Sequence, residues 1–561
     1  MDFVLTLHSH LPYVLNHGRW PHGSDWLCEA ALDTYLPLLE HLQRLAADRI
    51  PAPVTIGVTA VLANQLTSPT FLSEMETFFA HRLETCEAAP ESLAATGEAH
   101  LLPLVDFWRD RLIRLRNFFH HVGGDIVAAL RELERAGRLE TIGSAATHGF
   151  LPLLARDESI RLQLAVGRAE HRRLFGRAPE GLWLPECAYR PRGPWQPSRA
   201  APATGVRRGI EEHVADAGFR YCFVDAHLAS AGRPLGIYGD PASDPIVPRS
   251  TERPGGIAHR SPYVAYQIAP TRGDGVTALV RDPRSSRQVW SRHQGYPGDA
   301  HYLEFHKMRW PGGLKLWRVS GGDVDLGAKA PYAPAAALER AADHADHFAD
   351  LLGQIANAER HRRDEAIVAP FDTELFGHWW FEGPDWLASV YRSLARDDRG
   401  VRPATAARRL ADHPTRQPIR LASGSWGAEG DFSMWLNGRT AWTWERLWPL
   451  EERFWDAAPP ALSEPSAHPV LAQAARELLL AQASDWQFII STGAAADYAE
   501  RRFREHCDDA DALLDGLAAG ESGRAQAQTR AEALARKDDV FPDVLPAIAA
   551  ALGGSRSLAL T

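Results

Sequence analysis

The feature that most constrains this chain is an alternation of short apolar runs with longer amphipathic runs over about the first 400 residues. Six short runs have the composition of strands: DFVLTLHSHLPYV, PVTIGVTA, LETIGSAATHGF, GLWLPECAY, FRYCFVDAH and EAIVAPFDTELFG. Between several of them, as in TYLPLLEHLQRLAAD and ESIRLQLAVGRAEHRRLFG, apolar residues recur every three to four positions, which is typical of helices. The alternation predicts an α/β protein with a parallel sheet of the (β/α) barrel type.

Length, charge and cysteine content limit the class of protein. A chain of 561 residues is too long for one simple core, so we expect a catalytic domain with at least one appended domain. The formal charge of -10 disfavours a nucleic acid partner. No apolar run reaches membrane-spanning length, the first residues do not resemble a signal peptide, and the five cysteines lack paired spacing. We therefore expect a cytoplasmic protein with free thiols that does not bind a membrane, as a monomer or small homo-oligomer.

Polar side chains stand where the predicted strands end. Because the carboxyl ends of barrel strands meet on one face, these groups should share a pocket. Two carboxylates are the minimum for glycoside chemistry, and Glu186 and Asp372 are the candidates. The aromatic residues around Asp372 would favour a protonated acid. The polar residues at the strand ends are His8, His10, Asn64, Gln65, His148, Glu186, Asp225, His227, Asp372 and Glu374.

Simpler structural roles compete with these assignments. Glu186 could satisfy backbone N–H groups at a helix start, and Asp372 could be a helix N-cap. His8 and His10 alternate on a strand, so they could bind zinc, bind a substrate hydroxyl or serve the fold alone.

Tryptophan is unusually abundant, with 18 residues. An indole face can stack on the apolar face of a sugar ring, and several tryptophans lie beside Gly and Asp, which favours a cleft for neutral sugars. The alternative for each individual residue is burial in a core.

Five motifs then make the comparison specific: HSHLPYV, GSAATHGFLPLL, GLWLPECAYRP, APFDTELFGHWWFEGPDWL and WGAEGDFSMWLN, in this order. They resemble the signature regions of glycoside hydrolase family 57. Stretches such as RDPRSSRQVWS, GYPGD and LLLAQASDWQFIISTG extend the resemblance and are similar to the glucan branching enzymes of that family. The resemblance implies action on α-glucan such as amylose or glycogen, with no metal and no organic cofactor.

The resemblance also implies an architecture and a set of roles. It implies an incomplete (β/α)7 barrel, a small inserted helical domain and a C-terminal helical domain that helps close the cleft. We assign the barrel to residues 1–190 and 216–400, an inserted segment to 191–215, a lid within the barrel to 228–310, and the helical domain to 401–561. Glu186 matches the nucleophile and Asp372 the general acid/base. The implied substrate contacts are His10, His148, Arg281, Trp290, Gly298, Trp426, Trp435 and Asp485.

The expected reaction is a double displacement on an α-1,4-linked glucan, with transfer to a C6 hydroxyl to form an α-1,6 branch. Transfer needs an acceptor platform, for which Trp426 and Trp435 are the candidates, and a loop that excludes water. The family's catalytic-loop tyrosine best matches Tyr238, with Tyr263 or Tyr266 as alternatives.

Three other functions stay open. An α-amylase or 4-α-glucanotransferase would use the same two carboxylates. A metal-dependent polysaccharide deacetylase would use His8 and His10 on a similar barrel. A non-catalytic glucan-binding protein would need neither carboxylate for chemistry.

Overall fold

The computed structural model describes residues 1–202, 205–231, 260–268, 275–290, 295–359 and 365–553. The strands are β1 (Asp2–Ser9), β2 (Thr55–Val58), β3 (Glu140–Ser144), β4 (Gly181–Trp183), β5 (Gly193–Pro194), β6 (Val206–Arg207), β7 (Tyr221–Val224), β8 (Tyr266–Ile268), β9 (Thr277–Val280), β10 (Ala366–Asp372), β11 (Arg402–Pro403) and β12 (Pro418–Ile419).

The helices of the first 400 residues are α1 (Ser24–Ala30), α2 (Leu36–Ala47), α3 (Ala60–Leu66), α4 (Pro69–Ala95), α5 (Leu102–His121), α6 (Ile126–Arg135), α7 (Asp157–Phe175), α8 (Ile210–Asp216), α9 (Pro283–Trp290), α10 (Pro334–Ala358) and α11 (Gly383–Arg396). The later helices are α12 (Ala406–Asp412), α13 (Ala441–Leu462), α14 (His468–Ala481), α15 (Asp485–Thr492), α16 (Ala496–Ala518), α17 (Gly520–Lys537) and α18 (Val544–Gly553). No helix in these described stretches is both long and apolar enough to span a bilayer.

Seven parallel strands form the curved central sheet, in the order β10, β1, β2, β3, β4, β7 and β9. Every residue of β1 is buried, as expected for a parallel strand covered on both faces. The two ends of the series approach each other where the amide of Asp282 donates to the carbonyl of Val368 at 2.8 Å. The sheet is therefore an incomplete (β/α)7 barrel, and the predicted fold class is confirmed.

Local sequence signals explain how the barrel helices begin and end. Helix α7 has Asp157 in its first turn and Arg172 in its last, which complements the helix dipole. It ends at Gly176, whose φ of 81° suits glycine. Helix α3 begins at Thr59, whose side-chain oxygen accepts from the amide of Leu62.

The resemblance implied a small inserted helical domain without giving its residues. The inserted segment, residues 191–215, contains the hairpin of β5 and β6 and most of α8. The helical insertion instead lies between β2 and β3, where α4 and α5 pack against each other. Trp108 of α5 donates to the carbonyl of Lys315 at 2.7 Å and joins this insertion to the segment that follows β9.

Two expected boundaries also need correction. Strand β9 falls inside the expected lid, 228–310, so residues Thr277–Val280 belong to the barrel sheet. Past residue 400, β11 pairs with β1 and β12 pairs with β8, so the sheet continues to Ile419. The C-terminal helical region begins with α13, and α18 packs on barrel helix α7.

Most of the 18 tryptophans are buried in the core. For the majority, therefore, burial applies and not the display of an indole face to a sugar. All five cysteines are buried free thiols, as expected.

Candidate active site

Glu186 follows β4 in a short 3-10 turn and has a left-handed backbone, with φ at 59°. Such a conformation costs a non-glycine residue on the order of 1 kcal/mol and is typical of functional sites. Trp426 Nε1 donates to one carboxylate oxygen at 2.8 Å, and Ser484 Oγ donates to the other at 3.1 Å. These side-chain bonds replace the helix-start role considered above. About 15% of the side chain remains exposed, so a ligand can reach it.

The environment of Glu186 contains opposing influences on its charge. Burial raises the pKa of this carboxyl from 4.5 to about 7, and the charge of Asp485 adds to the rise. The hydrogen bonds from Trp426 and Ser484 lower the pKa because they favour the ionised form. A carboxylate with two donors and an exposed edge is suited to attack an electrophilic carbon.

Asp372 is the last residue of β10 and lies opposite His8 in the register with β1. Its side chain makes no N-cap hydrogen bond, so the helix-cap reading is not supported. Burial raises the pKa of Asp372 well above its ordinary value, and the charges of Glu374 and Glu186 raise it further, while Arg281 opposes them. Asp372 therefore holds a proton under conditions in which an exposed aspartate would lose it.

Aromatic rings connect the two carboxyl groups. Trp426, which donates to Glu186, lies 5.1 Å from Trp183 and 6.1 Å from Trp290 between ring centroids. Trp290 in turn lies 6.4 Å from Phe371, the residue before Asp372. Trp426 and Trp290 are both half-buried, so part of each indole stays accessible beside Glu186.

Three histidines stack beside Glu186. The rings of His10 and His148 lie 4.2 Å apart, and those of His8 and His148 lie 4.8 Å apart. His10 bonds to Thr59 Oγ1 at 3.0 Å and to Asp485 Oδ2 at 2.8 Å. His148 bonds to His8 Nε2 at 3.0 Å and to Ser484 Oγ at 3.1 Å.

These bonds bear on the zinc alternative. His10, His148 and Asp485 lie close enough together to hold an ion. In this structure the ring nitrogens of His10 bond to Thr59 and Asp485, and those of His148 bond to His8 and Ser484. The arrangement favours a network that orients the carboxylate through Ser484.

Arg281, at the end of β9, forms a buried ion pair with Asp225 at 3.1 Å. It also donates to Ser286 Oγ at 3.0 Å, and its guanidinium lies 5.4 Å from the ring centroid of Trp426. Although burial acts to raise the pKa of Asp225, His227 and Arg281 hold it below its ordinary value. This fixed charge pair supports the tryptophan that binds Glu186.

Trp435 and Gly298 differ from the other implied substrate contacts. Trp435 is only 1% exposed and stacks on Phe150 at 4.6 Å, so the expectation of an open acceptor platform is wrong for this residue. The ring forms part of the core behind the cleft. Gly298 is the exposed last residue of the 3-10 turn Tyr296–Gly298, in which Tyr296 is buried.

The tyrosine assignments have different outcomes. Tyr238 lies outside the described residues. Tyr263 and Tyr266 are buried, and the hydroxyl of Tyr266 donates to the carbonyl of Ser261 at 3.0 Å. Neither alternative therefore stands at an exposed loop tip.

Two contributing residues were missed by the sequence analysis. Ser484 donates to Glu186, and its only signal was its place in the ASDWQF stretch. Tyr35 donates to Glu374 at 2.5 Å, and no sequence signal marked it.

A (β/α) barrel with two unlike carboxyl groups in a tryptophan-walled cleft defines a glycoside-processing enzyme. Residues 4–419 match the model of glycosyl hydrolase family 57, and residues 449–548 match the model described as 1,4-alpha-glucan branching enzyme, C-terminal. The chain belongs to glycosyl hydrolase family 57.

Individual relatives agree with this assignment. The chain is 39% identical to a 1,4-alpha-glucan branching enzyme of Thermococcus kodakarensis, over 92% of this chain and 73% of that protein. A crystal structure of a branching enzyme from that archaeon, with glucose, has a TM-score of 0.87 at 37% identity, covering 98% of this chain and 96% of the other. An α-amylase structure from Thermotoga maritima has a TM-score of 0.76 at 27% identity, covering 98% and 99%.

Proposed function

We propose that this protein is a 1,4-α-glucan branching enzyme. The observation that carries the proposal is the pairing of Glu186, held by two hydrogen-bond donors, with Asp372, whose surroundings favour the protonated form, in one aromatic cleft. The match of residues 449–548 to the C-terminal model of branching enzymes supports the choice within the family.

The proposed reaction has two displacements. In the first, a Glu186 oxygen bonds to the anomeric carbon of an α-1,4-linked glucose unit, while Asp372 gives its proton to the departing glycosidic oxygen. In the second, Asp372 takes the proton of an acceptor C6 hydroxyl, whose oxygen displaces Glu186. Two inversions retain the anomeric configuration and leave an α-1,6 branch.

The acceptor decides between branching and hydrolysis. Water in place of the C6 hydroxyl would make the same site an α-amylase, and the similarity to the Thermotoga maritima α-amylase structure keeps this second candidate open. Trp426 and Trp290 are the described residues best placed to hold a glucan acceptor, because their rings are half-buried beside Glu186.

Linkage analysis tests the proposal. Amylose is incubated with the wild type, with Glu186→Gln and with Asp372→Asn, and new α-1,6 linkages are counted against new reducing ends. A branching enzyme forms α-1,6 linkages in excess over reducing ends, and both variants lose both products. Reducing ends without α-1,6 linkages would assign the protein as an amylase, and unchanged products from Glu186→Gln would refute this site.

The cellular setting follows from the same proposal. We infer a cytoplasmic role in glycogen synthesis, since the five free thiols suit a reducing compartment. The proposed partner is an α-glucan, and the enzyme acts as a monomer or a small homo-oligomer. The α-glucan has no charge to attract, which agrees with a cleft walled by indole rings.

A further inference from the structure

A third buried carboxyl lies beside the proposed acid. Glu374 follows Asp372 by two positions, in the 3-10 turn Thr373–Leu375, and is 8% exposed. Its Oε1 accepts from the hydroxyl of Tyr35 at 2.5 Å and from the backbone amide of His10 at 3.2 Å. Two donors on one oxygen favour the ionised form of a carboxyl group.

Asp372 has the opposite surroundings. In the described part of the chain, no hydrogen bond reaches its carboxyl, and burial is the largest cause that raises its pKa. When two nearby carboxyls share a site, the one with more donors keeps the charge and the other keeps the proton. The charged or titratable groups around the pair are His8, His10, Tyr35, Glu186, Cys187 and Arg281.

We propose that Glu374 is a positioning residue whose negative charge keeps the catalytic proton on Asp372. This inference rests on the proposed function. As the glycosidic bond breaks and the Glu186 oxygen bonds to the anomeric carbon, the proton moves from Asp372 to the departing oxygen. Glu374 exchanges no proton, and its charge again favours return of a proton to Asp372 from the acceptor hydroxyl.

Two opposing influences on the pKa of Glu374 set the pH range in which its side chain is charged. Burial raises the pKa of Glu374 to about 7, while the bonds from Tyr35 and His10 lower it. The charge is therefore in place on the alkaline side of neutrality, where it opposes the loss of the proton from Asp372.

The test is the pH dependence of kcat/KM for glucan cleavage by the wild type and by Glu374→Gln. The amide keeps the shape of the side chain and can still accept from Tyr35, but it carries no charge. Since Asp372 must be protonated to react, the alkaline limb should move to lower pH by about one unit. Tyr35→Phe removes one of the two donors to Glu374. It should also move the alkaline limb to lower pH, by a smaller amount than Glu374→Gln.

Glu382→Gln is the matched control. Glu382 is also a buried carboxyl with a pKa raised to about 7, and it accepts from Tyr332 at 2.7 Å and from the amide of Leu303 at 3.0 Å. It is not among the groups that act on Asp372, so its substitution should leave the limb in place.

The outcomes are distinguishable. An unmoved alkaline limb in a folded Glu374→Gln protein would overturn the inference, as would an equal movement in Glu382→Gln. If Glu374→Gln fails to fold, an unmoved limb in Tyr35→Phe overturns it. Absence of glucan cleavage by the wild type would instead reject the proposed function.

Discussion

Replacing Trp426 with phenylalanine isolates the hydrogen bond that holds Glu186, the proposed nucleophile. The substitution keeps an aromatic ring but removes the indole N–H that donates to Glu186 at 2.8 Å. Glu186 must be ionised to attack, so activity is present above its pKa and is lost as the pH falls through it. Because the lost donor favoured the ionised form, the pKa of Glu186 should rise above its value of about 7.

The size of the shift follows from the energy of such a bond. A hydrogen bond to a charged group contributes about 1.5–3 kcal/mol, and about 1.4 kcal/mol corresponds to one pKa unit. The acid limb of kcat/KM should therefore move about one to two units to higher pH. At pH values well below the acid limb, the rate is proportional to the ionised fraction of Glu186. There the variant should be roughly 10- to 100-fold slower than the wild type.

The assay is release of reducing ends and of new linkages from amylose across the pH range. Trp386→Phe is the matched control, since Trp386 is fully buried and its Nε1 has no hydrogen-bond partner among the described residues. The control should keep the wild-type limb. A uniform loss of rate in Trp426→Phe, with the acid limb unmoved, would refute the claim that this N–H keeps Glu186 ionised.

Three further predictions address the site and its support. Glu186→Gln should lower cleavage and branching together, by about 10⁴-fold or more, in the linkage assay; loss of branching alone would contradict a shared intermediate. Asp225→Asn weakens the buried ion pair with Arg281 at 3.1 Å and should reduce kcat/KM by roughly 10- to 100-fold. Unchanged kinetics would contradict the role of this pair in supporting Trp426. Arg502→Met removes buried bonds to the carbonyl of Tyr13 and to His506. Denaturant unfolding should show a free energy of unfolding that is lower by about 3 kcal/mol. An unchanged unfolding midpoint would contradict a stabilising role for these bonds.

Strand positions and strand-end residues could be predicted from the sequence, because both depend on local pattern. All six expected strands form, and Glu186 and Asp372 both stand at strand ends. The remaining barrel strand, β9, was missed because it lies in a Pro- and Gly-rich region. Arg281, which follows it, was found only through the family resemblance.

Features that depend on distant packing could not be predicted. Ser484 reaches Glu186 from 298 positions along the chain, and no local pattern encodes that distance. Trp435 was expected to be an open platform through the family resemblance, but its stacking on Phe150 buries it. No residues were predicted for the helical insertion, which α4 and α5 form by packing against each other.

Because Ser484 lies far from Glu186 in the sequence, the hydrogen bond between them can form only late in synthesis. Synthesis runs from the amino end, so the barrel strands leave the ribosome well before α15 does. Until then Glu186 lacks its Ser484 donor, and His10 lacks Asp485. A nascent chain therefore cannot complete its reactive carboxylate early, and the mature site forms only once the final third of the polypeptide has docked.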